Sequence, residues 1–258
     1  VLASTILGSA GRLIRAVVDF ALPALCALCG RRLAEDEVAV CMECLTRLAP
    51  ACAPFCRLCA RPGPRPCGWR GGLCSICADH GRQFERHRAY GLFEGDLARA
   101  IRLLKYSHRR SLAQPLGVLQ ARVVRADYIL RQAEIVVPVP LHRTRRRDRG
   151  YNQSELLAQA VADLTGRSCT PRILRRRRAT RTQTKLTQDE RLANVRGAFW
   201  VGDPGEVSGR SVLLVDDVFT TGATLDACAA ALLEAGARSV AAVTVAVAPA
   251  PPTGRGRT

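Results

Sequence analysis

At 258 residues, 48% of them hydrophobic and 24% charged, the chain has the composition of a globular protein with room for one sizeable domain, or one plus a smaller one. A formal net charge of +17 points to polyanionic partners, either nucleic acid or phosphorylated small molecules. No stretch is apolar over the roughly 18 residues a membrane-spanning helix needs, so a transmembrane segment is excluded.

Residues 1–25 lack an early positive charge, and Arg12, Arg15 and Asp19 interrupt the apolar run, which makes a poor signal peptide. The segment reads instead as an amphipathic helix with Leu7, Ile14, Val17, Val18 and Leu22 near one face, in a chain expected in the cytoplasm.

Ten of the twelve cysteines fall between residues 26 and 77. Eight form C-x-x-C pairs: Cys26/Cys29, Cys41/Cys44, Cys56/Cys59 and Cys74/Cys77. Such a turn converges two thiolates on one tetrahedral ion, and two turns complete a four-cysteine site. Pairing neighbours gives connecting loops of 11 and 14 residues and predicts two structural Zn²⁺ ions; spacing also admits the interleaved pairing. Cys52 and Cys67 are expected to be spare or buried thiols, and Cys169 and Cys228 small apolar fillers. His80 and His87 are expected on the surface, since eight cysteines already suffice. The cysteine pattern ends at Cys77, placing a zinc-binding domain over 26–84 and a boundary near residue 85.

Beyond it the chain reads as α/β. A strand is predicted over Ala89–Phe93, a helix over Asp96–Tyr106 with Leu97, Ile101 and Leu104 on one face, and a second helix over Ser111–Tyr128. Ile135–Val139 is a buried strand ended by Pro138 and Pro140, and Asn152–Leu164 is a helix with Asn152 as its N-cap. A strand at Pro171–Leu174, a helix over Asp189–Val195 and a strand at Gly197–Val201 follow. Val212–Val215 is a buried parallel strand that ends at Asp216 and Asp217. A helix then runs to Ala235 with Gly236 closing it, Ser239–Ala248 is a further buried strand, and residues 251–258 read as a disordered tail.

The segment VLLVDDVFTTGATLDAC carries the chemistry. Ligands of open α/β sheets bind beyond the carboxyl ends of strands, where two acids can hold hydroxyls or a metal. A small-residue loop entering a helix offers free N–H groups to a phosphate. A nucleotide hydrolase would also need a G-x-x-x-x-G-K-[ST] loop, which is absent. The run of acids followed by T-T-G-x-T instead resembles the phosphoribosyl pyrophosphate (PRPP) loop of type I phosphoribosyltransferases. With IVVPVPLHRTRRRDRGYNQSELLAQAVA, RTQTKLTQDERLANVRGAF and the four C-x-x-C pairs, the chain resembles the ComF family of competence-associated proteins over about residues 22–248.

That resemblance implies a type I phosphoribosyltransferase-like parallel sheet flanked by helices, preceded by a small zinc-binding domain, and leaves two readings open: transfer of the phosphoribosyl group of PRPP to an unidentified acceptor, or a non-catalytic module that senses PRPP or binds single-stranded DNA. It also implies a part in DNA uptake, single-stranded DNA as a partner and contact with a DNA-uptake helicase or channel. Residue by residue, Asp216 and Asp217 match the acids that face the ribose hydroxyls and Mg²⁺. Thr220, Thr221, Gly222, Ala223 and Thr224 match the 5′-phosphate loop. Arg143 falls at the pyrophosphate loop, and Thr184–Arg196, with Lys185 and Arg191, at the loop that closes over PRPP. Purine-type enzymes carry an acid where this chain has Thr220, and threonine cannot act as that general base. The basic segment 143–196, with 14 arginines and one lysine against five acids, offers a polyanion surface.

Overall fold

The computed structural model describes residues 24–51, 54–63, 70–177 and 197–249. The expected N-terminal helix, Cys52, Cys67, the helix Asp189–Val195, the closing loop with Lys185 and Arg191, and the tail lie outside the described residues.

Five strands form one all-parallel sheet: β1 (Arg86–Leu92), β2 (Ile135–Pro138), β3 (Ser168–Cys169), β6 (Ser211–Phe219) and β7 (Ser239–Val247), in the order β1-β7-β6-β2-β3. β4 (Leu174–Arg176) and β5 (Phe199–Val201) make a separate antiparallel pair. The helices are α1 (Met42–Arg47), α2 (Ser75–His80), α3 (Gly95–Tyr106), α4 (Ala113–Ala126), α5 (Tyr128–Arg131), α6 (Arg143–Arg149), α7 (Gln153–Thr165) and α8 (Ala223–Glu234). No helix among the described residues is long and apolar enough to cross a membrane.

The central strands are near-continuous Val/Leu/Ala runs because both faces of the sheet are covered. Leu213, Val215, Val243 and Val245 face α3, α4 and α7, where Leu97, Ile101, Leu104, Leu157 and Val161 meet them. Val212, Leu214, Val240 and Ala242 face α8 through Leu225, Cys228, Ala229 and Leu232. The two four-cysteine units divide between these layers. Cys26, Cys41 and Cys44 belong to the α3/α4/α7 side, whereas Cys56, Cys59, Cys74 and Cys77 belong to the α8 side. Neither unit has a core of its own, as expected where so few residues cannot bury enough apolar area alone.

Several sequence expectations are corrected. β6 does not end at the two acids but continues through them to Phe219, because β7 goes on pairing with it as far as Phe219↔Val247. β2 stops at Pro138, opposite Val215, so the acids occupy a stretch of strand with one edge open. The long helix expected over 111–128 is broken by Asp127, whose side chain caps α5 by accepting from Ile129 N (3.0 Å) and Leu130 N (3.3 Å). β1 begins at Arg86 rather than Ala89, and residues 171–173 form a turn before β4. The arginine run at 143–149 is a helix, not a loop: His142 Nδ1 accepts from Thr144 N (3.3 Å) at its start, Gly150 closes it at φ +72°, and Arg146 pairs with Glu155.

His87 is the clearest reversal. It is fully buried on β1, stacked on Phe219 at 4.3 Å, with Nδ1 2.8 Å from the Cys59 carbonyl and Nε2 2.9 Å from Thr244 Oγ1. Burial holds its pKa down at about 3, so it is neutral. His80 is exposed, as expected.

Candidate functional site

Strand order reverses between β2 and β6: β2 connects to β3 on one side, whereas β6 connects to β7 on the other. A crevice opens at such a reversal, outside the carboxyl ends of the strands. Here it is a cleft of ≈ 320 Å³. Val139, Pro140 and Leu141 wall one side; Asp216, Asp217, Thr220, Gly222 and Thr224 wall the other; Lys105, Arg145, Ser154 and Arg176 complete it.

Side chains from the packed helices hold the acids. Gln120 Nε2 donates to the Asp216 carbonyl (2.9 Å) and reaches the Val243 carbonyl of β7 (3.5 Å). Asp216 Oδ1 accepts from Ser154 Oγ (2.8 Å) and from Asp217 N (2.9 Å). Asn152 caps α7 through Ser154 N (3.1 Å) and ties to the Val139 carbonyl through its amide (3.0 Å), fixing Ser154 against the acid. Burial, together with the neighbouring Asp217 charge, pushes the Asp216 carboxyl up to about 7, while Lys105 and the Ser154 hydroxyl pull it back. Asp217 is 3% exposed; its Oδ1 takes an ion pair from Lys105 Nζ at 2.7 Å, and its Oδ2 is buried with no hydrogen-bond partner. That orphaned oxygen beside a second carboxylate suits a hard cation such as Mg²⁺, which binds through one or two carboxylates and keeps its remaining positions for water and phosphate.

The loop Thr220–Thr224 crosses from β6 into α8. Gly222 sits at φ +87°, and a Cβ there would lie 2.7 Å from Phe219 Cζ and 2.8 Å from Arg82 Nη1, so only glycine fits. Thr221 Oγ1 accepts from Ala223 N (3.4 Å), and Ala223 is the buried first residue of α8. Thr220, Gly222 and Thr224 line the cleft, with the start of α8 turned to it.

Arg143 takes a different place. It is exposed at the start of α6 and lines an adjoining cleft of ≈ 680 Å³ with His142, Arg146, Arg172, Arg175, Arg177 and Trp200. The two clefts share Pro140, Leu141 and Arg176. Among the described residues, the arginines that line the cleft with Asp216 and Asp217 are therefore Arg145 and Arg176. In the adjoining cleft Arg175 and Arg177 lie over Trp200 at 5.3 and 4.9 Å.

The eight cysteines gather by neighbouring pairs, Cys26/Cys29 with Cys41/Cys44 and Cys56/Cys59 with Cys74/Cys77, all four sulfurs of each group within 4.8 Å of one another. A tetrahedral ion with bonds of about 2.3 Å separates its sulfurs by about 3.8 Å. Cys29–Cys41 and Cys59–Cys74 are each 3.7 Å apart, a spacing that fits one ion per group. Backbone N–H groups point at the sulfurs, from Cys41 to Cys26 (3.4 Å), Cys44 to Cys41 (3.5 Å) and Cys74 to Cys56 (3.4 Å). Against the opposing effect of burial, such donors bring the Cys26 thiol down to about 6, ready to bind as thiolate. Arg47 Nη2 donates to Cys44 Sγ at 2.8 Å and offsets part of the thiolate charge. Cys228 is fully buried and Cys169 half-buried.

A phosphoribosyl transferase domain model matches residues 116–256. Along nearly the whole chain, "DNA utilization protein YhgH" of Escherichia coli strain K12 is 33% identical over 224 residues, covering 85% of this chain and 95% of that protein. "Competence protein F" of Haemophilus influenzae is 30% identical over 172 residues, 65% of this chain and 75% of that one. "Competence protein ComFC" of Bacillus subtilis is 24% identical over 247 residues, covering 86% and 94%. The chain belongs to the ComF family of phosphoribosyltransferase-fold proteins. Among solved structures, a glutamine PRPP amidotransferase from Bacillus subtilis, complexed with ADP and GMP, matches with a TM-score of 0.39 at 22% identity over 56% of this chain; this ComF protein spans 30% of that chain.

The matched domain model begins within α4, so β1 and α3, the latter bearing Lys105, lie upstream of it. Lys105 was missing from the candidates read in the sequence. A signal was available: of 39 basic residues only two are lysine. Arginine replaces lysine almost everywhere here, and a lysine kept at the end of α3 marks a place for a compact ammonium rather than a planar fork. Ser154 and Gln120 were missed too, as ordinary polar residues within helical runs.

Proposed function

We propose that this ComF protein binds PRPP with Mg²⁺ in the cleft beyond β6 and transfers its phosphoribosyl group to an acceptor, with a role in handling DNA in the cytoplasm. The observation that carries the reading is that two acids on one open strand edge and a glycine-centred loop at a helix start share one cleft with Lys105, Arg145 and Arg176. The loop N–H groups and threonine hydroxyls would take the 5′-phosphate. Asp216 and Asp217 would accept from the ribose hydroxyls, with Ser154 orienting Asp216. Arg145, Arg176 and Lys105 would hold the leaving pyrophosphate, with the bidentate fork of arginine suited to it. Mg²⁺, held by the two acids, would supply further neutralisation of the departing charge. Because Thr220 stands where purine-type enzymes carry an acid, the loop has no base to activate a purine, and the acceptor must bring a nucleophile that needs no proton removed there.

Titration calorimetry with PRPP tests the reading: binding that requires Mg²⁺ and is lost in Asp216→Asn/Asp217→Asn is expected, and pyrophosphate release on adding an acceptor, DNA included, identifies turnover. Heat of binding that is independent of Mg²⁺, or unchanged in the double variant, refutes it.

A second reading, a module that senses PRPP or binds single-stranded DNA without turnover, is favoured by the adjoining arginine-rich cleft, in which Arg175 and Arg177 lie over Trp200. The name of the Escherichia coli relative, a DNA utilization protein, agrees with it. On this reading a DNA-uptake helicase or channel is the proposed partner. Affinity for a single-stranded oligonucleotide should fall steeply with salt and drop in Arg175→Ala/Arg177→Ala. A flat salt response counts against it.

A further inference from the structure

The second four-cysteine unit reaches the phosphate loop from below, and it does so from the segments that carry its ligands. Arg61 lies two residues after Cys59; its carbonyl accepts from Cys56 N (2.9 Å), so the cysteine turn itself fixes its backbone. From there Arg61 Nη2 donates to the Thr220 carbonyl (3.1 Å), at the entry of the loop. Arg82 follows α2, the helix that carries Cys77, after a turn in which Gly81 N donates to the Cys77 carbonyl (3.2 Å). Its side chain is 3% exposed, faces the Cys77 sulfur and forms an ion pair with Asp226 Oδ2 at 2.5 Å in the first turn of α8. The neighbouring Gln83 N donates to Asp226 Oδ1 (3.1 Å). Arg82 also lies against Gly222 at the middle of the loop and over Phe219 (5.9 Å) at its start. Phe219 is further held by His87, which in turn is anchored to the Cys59 carbonyl.

Thus the beginning, middle and end of the loop each contact a group bonded to, or close in sequence to, the turns that carry Cys56, Cys59 and Cys77. The first unit reaches other parts of the fold: Arg47 pairs with Asp96 at the start of α3 (3.0 Å), and Ala51 N and the Leu48 carbonyl bond to Tyr90 on β1.

We propose that the second four-cysteine unit is a working part of the phosphate loop, with Arg61 and Arg82 as positioning residues that hold the loop in its anion-binding shape when a metal ion gathers the four cysteines. Metal occupancy of that unit, and not of the first, then sets the affinity for a sugar 5′-phosphate. The inference rests on the reading of Thr220–Thr224 as a 5′-phosphate loop, and the test separates the two.

Full-length metal-loaded protein and the variants Arg82→Met, Arg82→Lys, Cys59→Ser and Cys29→Ser are compared by metal content, amide hydrogen exchange of residues 219–226, and calorimetry with PRPP and Mg²⁺. Removing a charge-assisted contact of this kind is worth about tenfold in an equilibrium. Arg82→Met should keep both metals yet speed loop exchange and weaken PRPP by about that factor, and Arg82→Lys should recover part of both. Cys59→Ser should lose one metal and behave as Arg82→Met; Cys29→Ser should lose one metal and leave loop exchange unchanged. Unchanged loop exchange in Arg82→Met, or equal acceleration in Cys29→Ser, overturns the proposal. Should the unaltered protein bind no PRPP, the reading of the loop as a PRPP site fails, while the exchange measurement still decides whether the second unit supports the loop.

Discussion

Replacing Gly222 with alanine adds one methyl group at the centre of the loop, and the structure separates its two costs. The first is conformational, since φ is +87°, where an L-residue is disfavoured by about 1–2 kcal/mol. The second is steric, since the new Cβ would sit 2.7 Å from Phe219 Cζ and 2.8 Å from Arg82 Nη1, and both of those groups are pinned by their own partners. Overpacking of this kind costs a further 1–3 kcal/mol or so, for a total of about 2–5 kcal/mol. Two glycines serve as references. Gly166, at φ +68° with nothing within 4 Å of a new Cβ, bears the conformational cost alone, about 1–2 kcal/mol. Gly117 lies inside α4, where alanine gains about 1 kcal/mol of helix propensity, but its Cβ would meet Ala160 Cβ at 2.5 Å. Thermal unfolding followed by circular dichroism should therefore rank Gly222→Ala as the most destabilised, with a melting temperature about 6–12 °C below the unaltered protein for a 3 kcal/mol loss. PRPP affinity should fall in Gly222→Ala and stay unchanged in Gly166→Ala. A Gly222→Ala protein no less stable than Gly166→Ala would refute the close packing of Arg82 and Phe219 beneath the loop.

Metal analysis should find about two Zn²⁺ per chain, and chelation should lower the melting temperature; one or none contradicts the two-ion geometry. Because the folded Asp216 carboxyl is raised from 3.8 to about 7, its contribution to stability falls as pH rises through that window, and a cation must displace its proton below pH 7. Mg²⁺ binding at pH 6 should release close to one proton, and at pH 8 almost none, as read by calorimetry in buffers of different ionisation enthalpy; equal release at both values would rule this out. His87 has the opposite sign: lowered from 6.5 to about 3, it stabilises the fold fully above 6.5 and loses that contribution as pH falls, by at most about 1.4 kcal/mol per unit. The stability difference between the unaltered protein and His87→Gln should shrink across that range in urea titrations, and a constant difference would mean that His87 takes up its proton as readily folded as unfolded.

Much of this architecture was legible in the chain, because its signals are local. Val212–Val215 could only be a strand buried on both faces, Leu97, Ile101 and Leu104 repeat at helical spacing, and Asn152 precedes its helix as a cap does. The C-x-x-C turns pointed to metal binding for the same reason, since each pair of thiols is brought together by a few adjacent residues. What remained hidden depends on contacts between distant segments. Which cysteine turns come together in a group that could hold an ion was decided by tertiary packing, which seats one unit on each face of the sheet. His87, flanked by arginines, shows no apolar pattern; it is core because the second unit covers that face of β1. The helix at Arg143–Arg149 buries nothing and is held by its caps and by Glu155, so no periodicity could announce it. Lys105 reaches Asp217 only once α3 packs on the sheet. The acids themselves could be read as a pair that holds hydroxyls or a cation. That they lie on an open strand edge follows from β2 stopping while β7 does not; burial beside Asp217 raises Asp216 towards neutrality, and Lys105 on α3 pairs with Asp217. A chain cannot state that by its own composition, because the difference lies in its neighbours.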